Sequence, residues 1–331
     1  MSNANIITQF INTIPKIDLH CHIDGSFSPE YVKNTLSLSH DTDTVLEMLK
    51  APKDCKSLTE YLTKFDLPIQ CLQTKENITK GILDIISSAQ KENTKYIELR
   101  FAPTCSINES LDYSDIYEAV IEGCKQGKKI YDVDSNIIVC AMRHHDLDTN
   151  KKMLYASMEY LGYGICALDL AGDESSFHNQ IFEELFSEAR RLGMPFTIHS
   201  GECGSTENVK LALEYGAKRV GHGIALAKDK YLIEACKSAG LGLELCPTSN
   251  YQTQAVKPED TYPLNLFLDN GLLATINTDN RTVSGTTITK ELNLIHERFG
   301  INQDDIIQLY KNSVEISFAD DNIKNNLLKY L

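Results

Sequence analysis

The chain has 331 residues, of which 42% are hydrophobic, and it carries a formal net charge of −14 at pH 7. That charge argues against nucleic acids and anionic membranes as partners, because both bind clustered Lys and Arg. No apolar run reaches the length of a membrane span, and residues 1–10 lack a secretion-signal pattern. The ten cysteines show no disulfide-framework spacing. We therefore expect a cytoplasmic protein whose cysteines pack in the core; the net charge would not affect the binding of a small neutral substrate.

Short apolar runs alternate with longer amphipathic segments, as a parallel α/β sheet requires. Eight runs have the character of strands: Ile17–His20, Tyr96–Phe101, Asn136–Met142, Gly164–Leu170, Pro195–His199, Arg219–His222, Leu241–Cys246 and Leu272–Asp279. Helical patterns cover Phe177–Leu192, Val209–Tyr215 and Lys230–Ala239, and each is followed by a glycine that is typical of a helix end.

The count of eight strands predicts a (β/α)8 TIM barrel. An open doubly wound sheet is the alternative, but no glycine-rich phosphate loop follows the first strand. No low-complexity linker divides the chain, so we expect residues 1–331 to form a single domain.

The first predicted strand ends in two histidines one residue apart, within Asp18-Leu19-His20-Cys21-His22-Ile23-Asp24-Gly25. Alternate residues of a strand face the same side, so His20 and His22 can hold one ion together. The end of a barrel strand is also where such enzymes carry their chemistry. The alternative is a pair of histidines at an ordinary strand–loop junction, and the motif alone does not decide between the two.

A long segment separates the first strand from the second, and it predicts a helical insertion. It contains an apolar stripe with the i, i+3, i+4, i+7 spacing of one helix face: Leu58, Tyr61, Leu62 and Phe65. Such a stripe usually belongs to a core. Because this segment leaves the strand with the two histidines, it could instead roof a site at the C-terminal face of the barrel and exclude water.

Candidate ligands also follow the later strands. His199 ends the fifth strand with Glu202 three residues on, His222 ends the sixth, and Asp279 ends the eighth. Imidazoles combined with a carboxylate suit a zinc-like ion with one position open for water. The end of strand four lacks the bridging lysine typical of two-metal barrels, which favours one metal ion per chain. Ser249 and Asn250, after strand seven, are interpreted as residues that fix a loop.

The motifs HxHxDG, DLAGDE, HxGE, RVGHG, CPTSN and NTDN resemble, in this order, those of the adenosine deaminase family. The similarity also covers residues 98–103 and 312–318, so it extends over nearly the whole chain. The resemblance implies a (β/α)8 barrel with one Zn2+ that converts adenosine to inosine and ammonia.

The resemblance also implies a role for each matching residue. Its zinc ligands would be His20, His22, His199 and Asp279. Glu202 would protonate purine N1, and His222 would orient or deprotonate the attacking water. The backbone N–H of Gly172 would donate to purine N3, and Asp24 would hold the ribose 5′-hydroxyl. The apolar stripe would line the pocket, which favours the interpretation that it covers the site over the interpretation that it only belongs to the core.

The chain departs from many family members after strand eight, where Asp279 is followed by Asn280 and Arg281 instead of Asp and Pro. An Asp at position 280 would need a proton in order to donate a hydrogen bond to purine N7, whereas an Asn amide donates without one. We therefore predict that Asn280 binds N7.

Three other functions are compatible with parts of this pattern. An adenine deaminase has the same metal ligands but often carries Glu or Asn in place of Asp24, because it binds no ribose. Another mononuclear metal hydrolase could cleave amides or cyclic ureides on the same barrel. A non-enzymatic binding protein should have lost a metal ligand or Glu202, and this chain retains them all.

Overall fold

The computed structural model describes residues 3–52, 55, 57–257 and 260–331, with the side chains of residues 3–5 excepted. Within these ranges the eight strands are β1 Lys16–His22, β2 Thr94–Phe101, β3 Asp134–Met142, β4 Ile165–Ala171, β5 Thr197–Ser200, β6 Arg219–His222, β7 Gly242–Leu245 and β8 Leu273–Ile276. All eight predicted strands are therefore present.

Only β6 has both of its predicted boundaries, and the other strands differ at one or both ends by one to three residues. Two of these differences have a clear physical reason. β5 begins at Thr197 rather than at Pro195, since proline has no N–H to donate to the ladder. β8 ends at Ile276 rather than at Asp279, where the backbone turns left-handed with φ 58°.

The strands form two parallel four-stranded sheets, β1-β2-β3-β4 and β5-β6-β7-β8. Parallel bridges join the sheets at both edges, one between Leu168 and Phe196 and the other between Cys21 and Asp279. At the second edge, the Asp279 N–H donates to the His20 carbonyl at 2.7 Å and the His22 N–H donates to the Asp279 carbonyl at 2.7 Å. The predicted (β/α)8 barrel is confirmed, and the bridge that joins its last strand to its first passes through the predicted metal ligands.

Sixteen α-helices surround the strands within the described residues: α1 Asn3–Thr13, α2 Pro29–Thr35, α3 Thr42–Leu49, α4 Leu58–Leu62, α5 Asp66–Ile69, α6 Lys75–Gln90, α7 Tyr113–Tyr131, α8 Leu147–Ser157, α9 Glu183–Leu192, α10 Thr206–Tyr215, α11 Lys230–Ala239, α12 Pro247–Gln252, α13 Leu264–Asp269, α14 Ile288–Phe299, α15 Gln303–Ile316 and α16 Asp321–Leu328. Short 3₁₀ helices cover Thr63–Phe65, Gln70–Leu72, Pro103–Ser106, Met158–Tyr160, Asn179–Phe182 and Ile224–Lys228. No helix of the described chain is both long and apolar enough to cross a membrane.

Local sequence explains where these helices begin and end. Asp112 and Asn302 form capping boxes at the starts of α7 and α15. Gly193, Gly216 and Gly240 end α9, α10 and α11 with left-handed backbones, as the sequence predicts. α9 begins at Glu183 rather than at residue 177, because the preceding turn is 3₁₀.

The predicted insertion contains α2 to α6 between β1 and β2. Its last helix, α6, packs closely on α7, and a Cβ added at Gly123 in α7 would lie 2.6 Å from the Cβ of Ile82. Glycine therefore permits this close approach of the two helices. The insertion is thus anchored to the outer helical layer of the barrel.

The barrel interior contains charged residues in addition to the apolar core. Five fully buried ionic side chains come from β2, β4, β6 and β7: Glu98, Arg100, Asp169, Arg219 and Glu244. Ionic side chains are rarely buried without partners. Glu244 and Asp169 contact histidines of the candidate site, and the other three pair with these carboxylates or with each other.

Candidate active site

Four predicted metal ligands converge at the C-terminal ends of the strands. One donor atom from each of His20, His22, His199 and Asp279 lies within 4.8 Å of the others. The Nε2 atoms of His20 and His22 lie 3.4 Å and 3.5 Å from Asp279 Oδ1, and Nε2 of His22 lies 3.2 Å from Nε2 of His199. The structure thus brings together residues that are up to 259 positions apart (279 − 20), and together they could hold one metal ion.

The second ring nitrogens of two of these histidines contact buried carboxylates. His20 Nδ1 lies 2.7 Å from Glu244 Oε2, and His199 Nδ1 lies 3.0 Å from Asp169 Oδ2. A carboxylate accepts the Nδ1–H of a neutral imidazole and leaves the Nε2 lone pair free for a metal. The donor set therefore fits a cation in chemistry as well as in position.

Arg100 connects the two carboxylates. Its Nη1 donates to Asp169 Oδ2 at 2.9 Å and its Nη2 donates to Glu244 Oε2 at 2.8 Å. The Nη2 group also donates to the carbonyl of Leu19, beside the first ligand. One guanidinium therefore fixes the orientation of two metal-facing imidazoles, from β1 and β5.

The charges around the cluster favour a cation. Burial and Arg100 lower the pKa of His20, but the hydrogen bonds that its imidazole donates to the carboxylates of Asp279 and Glu244 outweigh them and raise it. Burial raises the pKa of Asp279, but the hydrogen bond and charge of His20 outweigh burial and lower the pKa below its usual value, so Asp279 is ionised. Burial lowers the pKa of His22 well below its usual range, which leaves the imidazole neutral, as metal binding requires.

Two site residues have strained backbones. His222, at the end of β6, and Asp279, three residues after the end of β8, are non-glycine residues with φ of 63° and 58°. A left-handed conformation costs roughly 1–2 kcal/mol for an ordinary L-residue, and such strain persists where the surrounding structure imposes it. Position 221 has little room for a side chain, because a Cβ added to Gly221 would lie 3.0 Å from His20 Cε1.

Glu202 is a buried carboxyl group next to the cluster. Burial, together with the negative charges of Asp279 and Glu174, raises its pKa to about 8. Its loop is fixed by Glu174, whose carboxylate accepts hydrogen bonds from the N–H groups of Gly201 and Cys203 at 2.6 Å and 2.8 Å. Glu202 is therefore protonated at neutral pH and held in place. His222 Nε2 lies 3.6 Å from its Oε2.

A cavity of about 400 Å3 opens above these groups. The remaining predicted site residues all line it: Asp24, Leu58, Tyr61, Leu62, Phe65, Gly172 and Asn280. The apolar stripe lies on α4 and the 3₁₀ turn Thr63–Phe65, and the Tyr61 hydroxyl lies 2.6 Å from Ser284 Oγ. This placement favours the roof interpretation. His144, exposed at the rim, also lines the cavity.

Two polar side-chain atoms of residues that line the cavity lack hydrogen-bond partners among the described residues. They are Asp24 Oδ1 and Asn280 Oδ1, both buried. Burial raises the pKa of Asp24 to about 7. The Asn280 side chain lies directly over Gly25, where an added Cβ would be 1.8 Å from Asn280 Oδ1. Gly25 therefore makes room for the Asn280 amide, and Asp24 Oδ1 can accept a hydrogen bond from a ligand.

Sequence reasoning missed several residues that shape the site. Asp169, Glu244 and Arg100 were not predicted, although each is a charged residue within an apolar strand. This pattern could have identified them, because an ionic group in a buried strand needs a partner. Asn250, interpreted from sequence as fixing a loop, contacts His222 Nδ1 at 3.0 Å.

A model of the family described as adenosine deaminase matches residues 15–331. The adenosine deaminase of Clostridium perfringens is 37% identical over 321 residues, which cover 95% of this chain and 97% of that protein. The chain belongs to the adenosine deaminase family. The resemblance seen in its motifs is thereby confirmed.

Solved structures support the fold of this family member. The adenine deaminase of Arthrobacter aurescens superimposes with a TM-score of 0.86 at 22% identity, covering 96% of this chain and 98% of that one. An amidohydrolase from Burkholderia ambifaria with bound Zn superimposes with a TM-score of 0.87 at 18% identity, covering 99% and 92%. At these identities the likeness concerns the fold alone.

Replacing Glu244 with Gln tests the buried carboxylates. We expect Glu244→Gln to lower the affinity for Zn2+ by about 10–100-fold, because an amide has no negative charge and only one acceptor oxygen for His20 and its two arginine partners. Competition with a chelator measures this affinity. Glu76→Gln, which removes an exposed partner of Lys80, is the control and should leave it unchanged. Unchanged zinc affinity in a folded Glu244→Gln protein would contradict the role given to Glu244.

Proposed function

We propose that the protein is a zinc-dependent adenosine deaminase that converts adenosine or 2′-deoxyadenosine and water to the inosine product and ammonia. One observation carries the proposal: a single cavity is lined by possible metal ligands, by Glu202 with its raised pKa, and by Asp24, whose Oδ1 has no hydrogen-bond partner among the described residues. Membership of the family supports the same reaction. Because the insertion lines the cavity together with the strand ends, we also propose that residues 1–331 act as a single domain.

Four residues would hold one Zn2+ per chain: His20, His22, His199 and Asp279. Three imidazoles and a carboxylate are ligands that zinc accepts, and a structural relative was solved with bound Zn. The ion, when bound, supplies an activated water by lowering the pKa of that water toward ~7.

Glu202 would act as the general acid. As oxygen adds to purine C6, the electron pair of the C6–N1 double bond moves to N1, and Glu202 delivers its proton there. The raised pKa of about 8 keeps this proton available at neutral pH. Positioned proton transfer of this kind contributes roughly 10²–10⁴-fold to a rate.

Asp279 would deprotonate the attacking water, and His222 would orient it. Asp279 is ionised and can accept a proton from it, whereas burial lowers the pKa of His222 well below its usual range and leaves it neutral. Collapse of the tetrahedral adduct breaks the bond between C6 and its amino group. The amino group takes up the proton held by Asp279 and leaves as ammonia. The C6 hydroxyl then returns its proton to Glu202 as the C6 carbonyl forms, so both carboxyl groups are restored.

The rest of the cavity would recognise the nucleoside. Asp24 would accept a hydrogen bond from the ribose 5′-hydroxyl, which satisfies its buried oxygen. The Gly172 N–H would donate to purine N3, Asn280 would donate to N7, and the apolar stripe would cover the purine. A free base would leave Asp24 unpaired in the cavity, and sites built to bind a hydroxyl reject ligands without one. The nucleoside is therefore favoured over adenine.

Ultraviolet absorbance of the zinc-supplied protein with adenosine, 2′-deoxyadenosine and adenine tests this function. We expect rapid conversion of both nucleosides, slow or no conversion of adenine, and loss of turnover in Glu202→Gln with zinc retained. Glu188→Gln, at a surface ion pair, is the matched control. Turnover of adenine alone would transfer the assignment to the base deaminases, and no turnover of any purine would reject it.

Substitution of Asn280 tests recognition of N7. Asn280→Leu should lower kcat/KM for adenosine by about 10–100-fold, corresponding to the loss of one hydrogen bond worth roughly 1.5–3 kcal/mol in a buried polar site. Asn280→Asp should retain most activity, because a protonated carboxyl group can replace the amide donor. Steady-state kinetics measure both variants. Normal turnover by Asn280→Leu would assign N7 recognition to another group.

A further inference from the structure

A buried chain of three polar side chains leads from the outer part of the β7 loop to the candidate site. The Tyr262 hydroxyl donates to Asn250 Oδ1 at 2.9 Å, and Asn250 Nδ2 lies 3.0 Å from His222 Nδ1. All three side chains are essentially inaccessible to solvent. The family motifs assigned no role in the reaction to Asn250 or Tyr262.

The direction of the hydrogen bond between Asn250 and His222 follows from the hydrogen bonds that these three side chains can all make at once. With the amide as placed, Tyr262 donates to Oδ1 and Nδ2 donates to Nδ1 of His222. If the amide were reversed, His222 could donate to it, but the hydroxyl proton of Tyr262 would lose its only acceptor among the described residues. Because a buried donor without an acceptor is costly, the network assigns the amide orientation.

We propose that Asn250, held by Tyr262, is a positioning residue that fixes neutral His222 in the tautomer with its proton on Nε2. A neutral imidazole carries one proton, so a donor facing Nδ1 leaves that proton on Nε2. His222 therefore presents an N–H donor, and not a lone pair, to the reacting centre. The proposal rests on the proposed function for its catalytic meaning but not for the tautomer itself.

This tautomer also protects the proton on Glu202. Nε2 of His222 faces Glu202 Oε2 at 3.6 Å. A lone pair on Nε2 would compete with purine N1 for the proton of the Glu202 carboxyl group. An N–H group there instead faces an oxygen that can accept, and leaves the acidic proton free for the substrate.

The fold holds these three hydrogen-bonded side chains rigidly enough to select one tautomer of His222. Asn250 lies in α12, where its N–H donates to the Cys246 carbonyl at 2.9 Å and its carbonyl accepts from the N–H of Val256 at 3.0 Å. The Tyr262 ring stacks on Phe299 with 5.4 Å between the ring centroids. The amide is thus fixed by its backbone and by the hydroxyl that binds it.

Nitrogen-15 NMR of the zinc-supplied protein, labelled at histidine, tests the proposal without turnover. The signals of His222 are assigned by their loss in His222→Asn. We expect Nε2 to be protonated and Nδ1 to be unprotonated in the unmodified protein. A His222 with its proton on Nδ1 would overturn the proposal, whether or not the protein deaminates adenosine.

Two substitutions test the consequence for catalysis. Asn250→Asp replaces the donor with a carboxylate of the same shape, which should place a proton on His222 Nδ1 and lower kcat for adenosine at least about 100-fold, with KM changed less than about threefold. Tyr262→Phe should give a mixture of tautomers and a smaller loss of kcat. Zinc content should not change in either variant.

Asn312→Asp is the matched control, because its amide is also buried but donates to the Ala274 carbonyl at 2.9 Å, away from histidine. It should keep both kcat and the His222 tautomer. Full kcat in Asn250→Asp, or an unchanged tautomer in that variant, would overturn the proposal. If no purine is deaminated but the tautomer is as expected, the proposed function fails while the assignment of Asn250 to His222 stands.

Discussion

The site depends on one buried guanidinium. Arg100 binds the two carboxylates that orient His20 and His199, and Glu244 is further neutralised by Arg219 at 2.5 Å. Desolvating so many charges costs several kcal/mol per ion, and the mutual attraction of the ions offsets this only when the geometry is good. The result is a polar centre inside a barrel that would be more simply filled with apolar side chains. We infer that this arrangement serves to hold imidazoles rigidly at the strand ends.

Backbone constraints place the remaining groups around that centre. The backbone is left-handed at His222 and Asp279, and Asp279 also joins β1 to the segment that follows β8. Gly221 and Gly25 leave room for His20 and Asn280, respectively. Barrel closure and site assembly therefore rely on the same few residues. The hydrogen bonds that complete the barrel compensate for the backbone strain at the site.

Much of this could be predicted from sequence. Eight apolar runs and their glycine-ended helices predicted the barrel, and strand-end histidines predicted the metal cluster, because each depends on local periodicity and on where strands end. The hydrogen-bond partners could not be predicted in the same way. Glu244, Asp169 and Asn250 act through contacts with residues 28–224 positions away, which no local pattern specifies. The end of β8 also depended on the left-handed backbone of Asp279, which no strand pattern specifies.

The central claim is that three imidazoles and one carboxylate hold a single zinc ion. X-ray absorption at the zinc edge, combined with metal analysis of the loaded protein, tests it most directly. The account predicts one zinc per chain in a shell of nitrogen and oxygen atoms at about 2.0–2.2 Å that includes three imidazoles. A sulfur ligand at about 2.3 Å, or two zinc ions per chain, would contradict it.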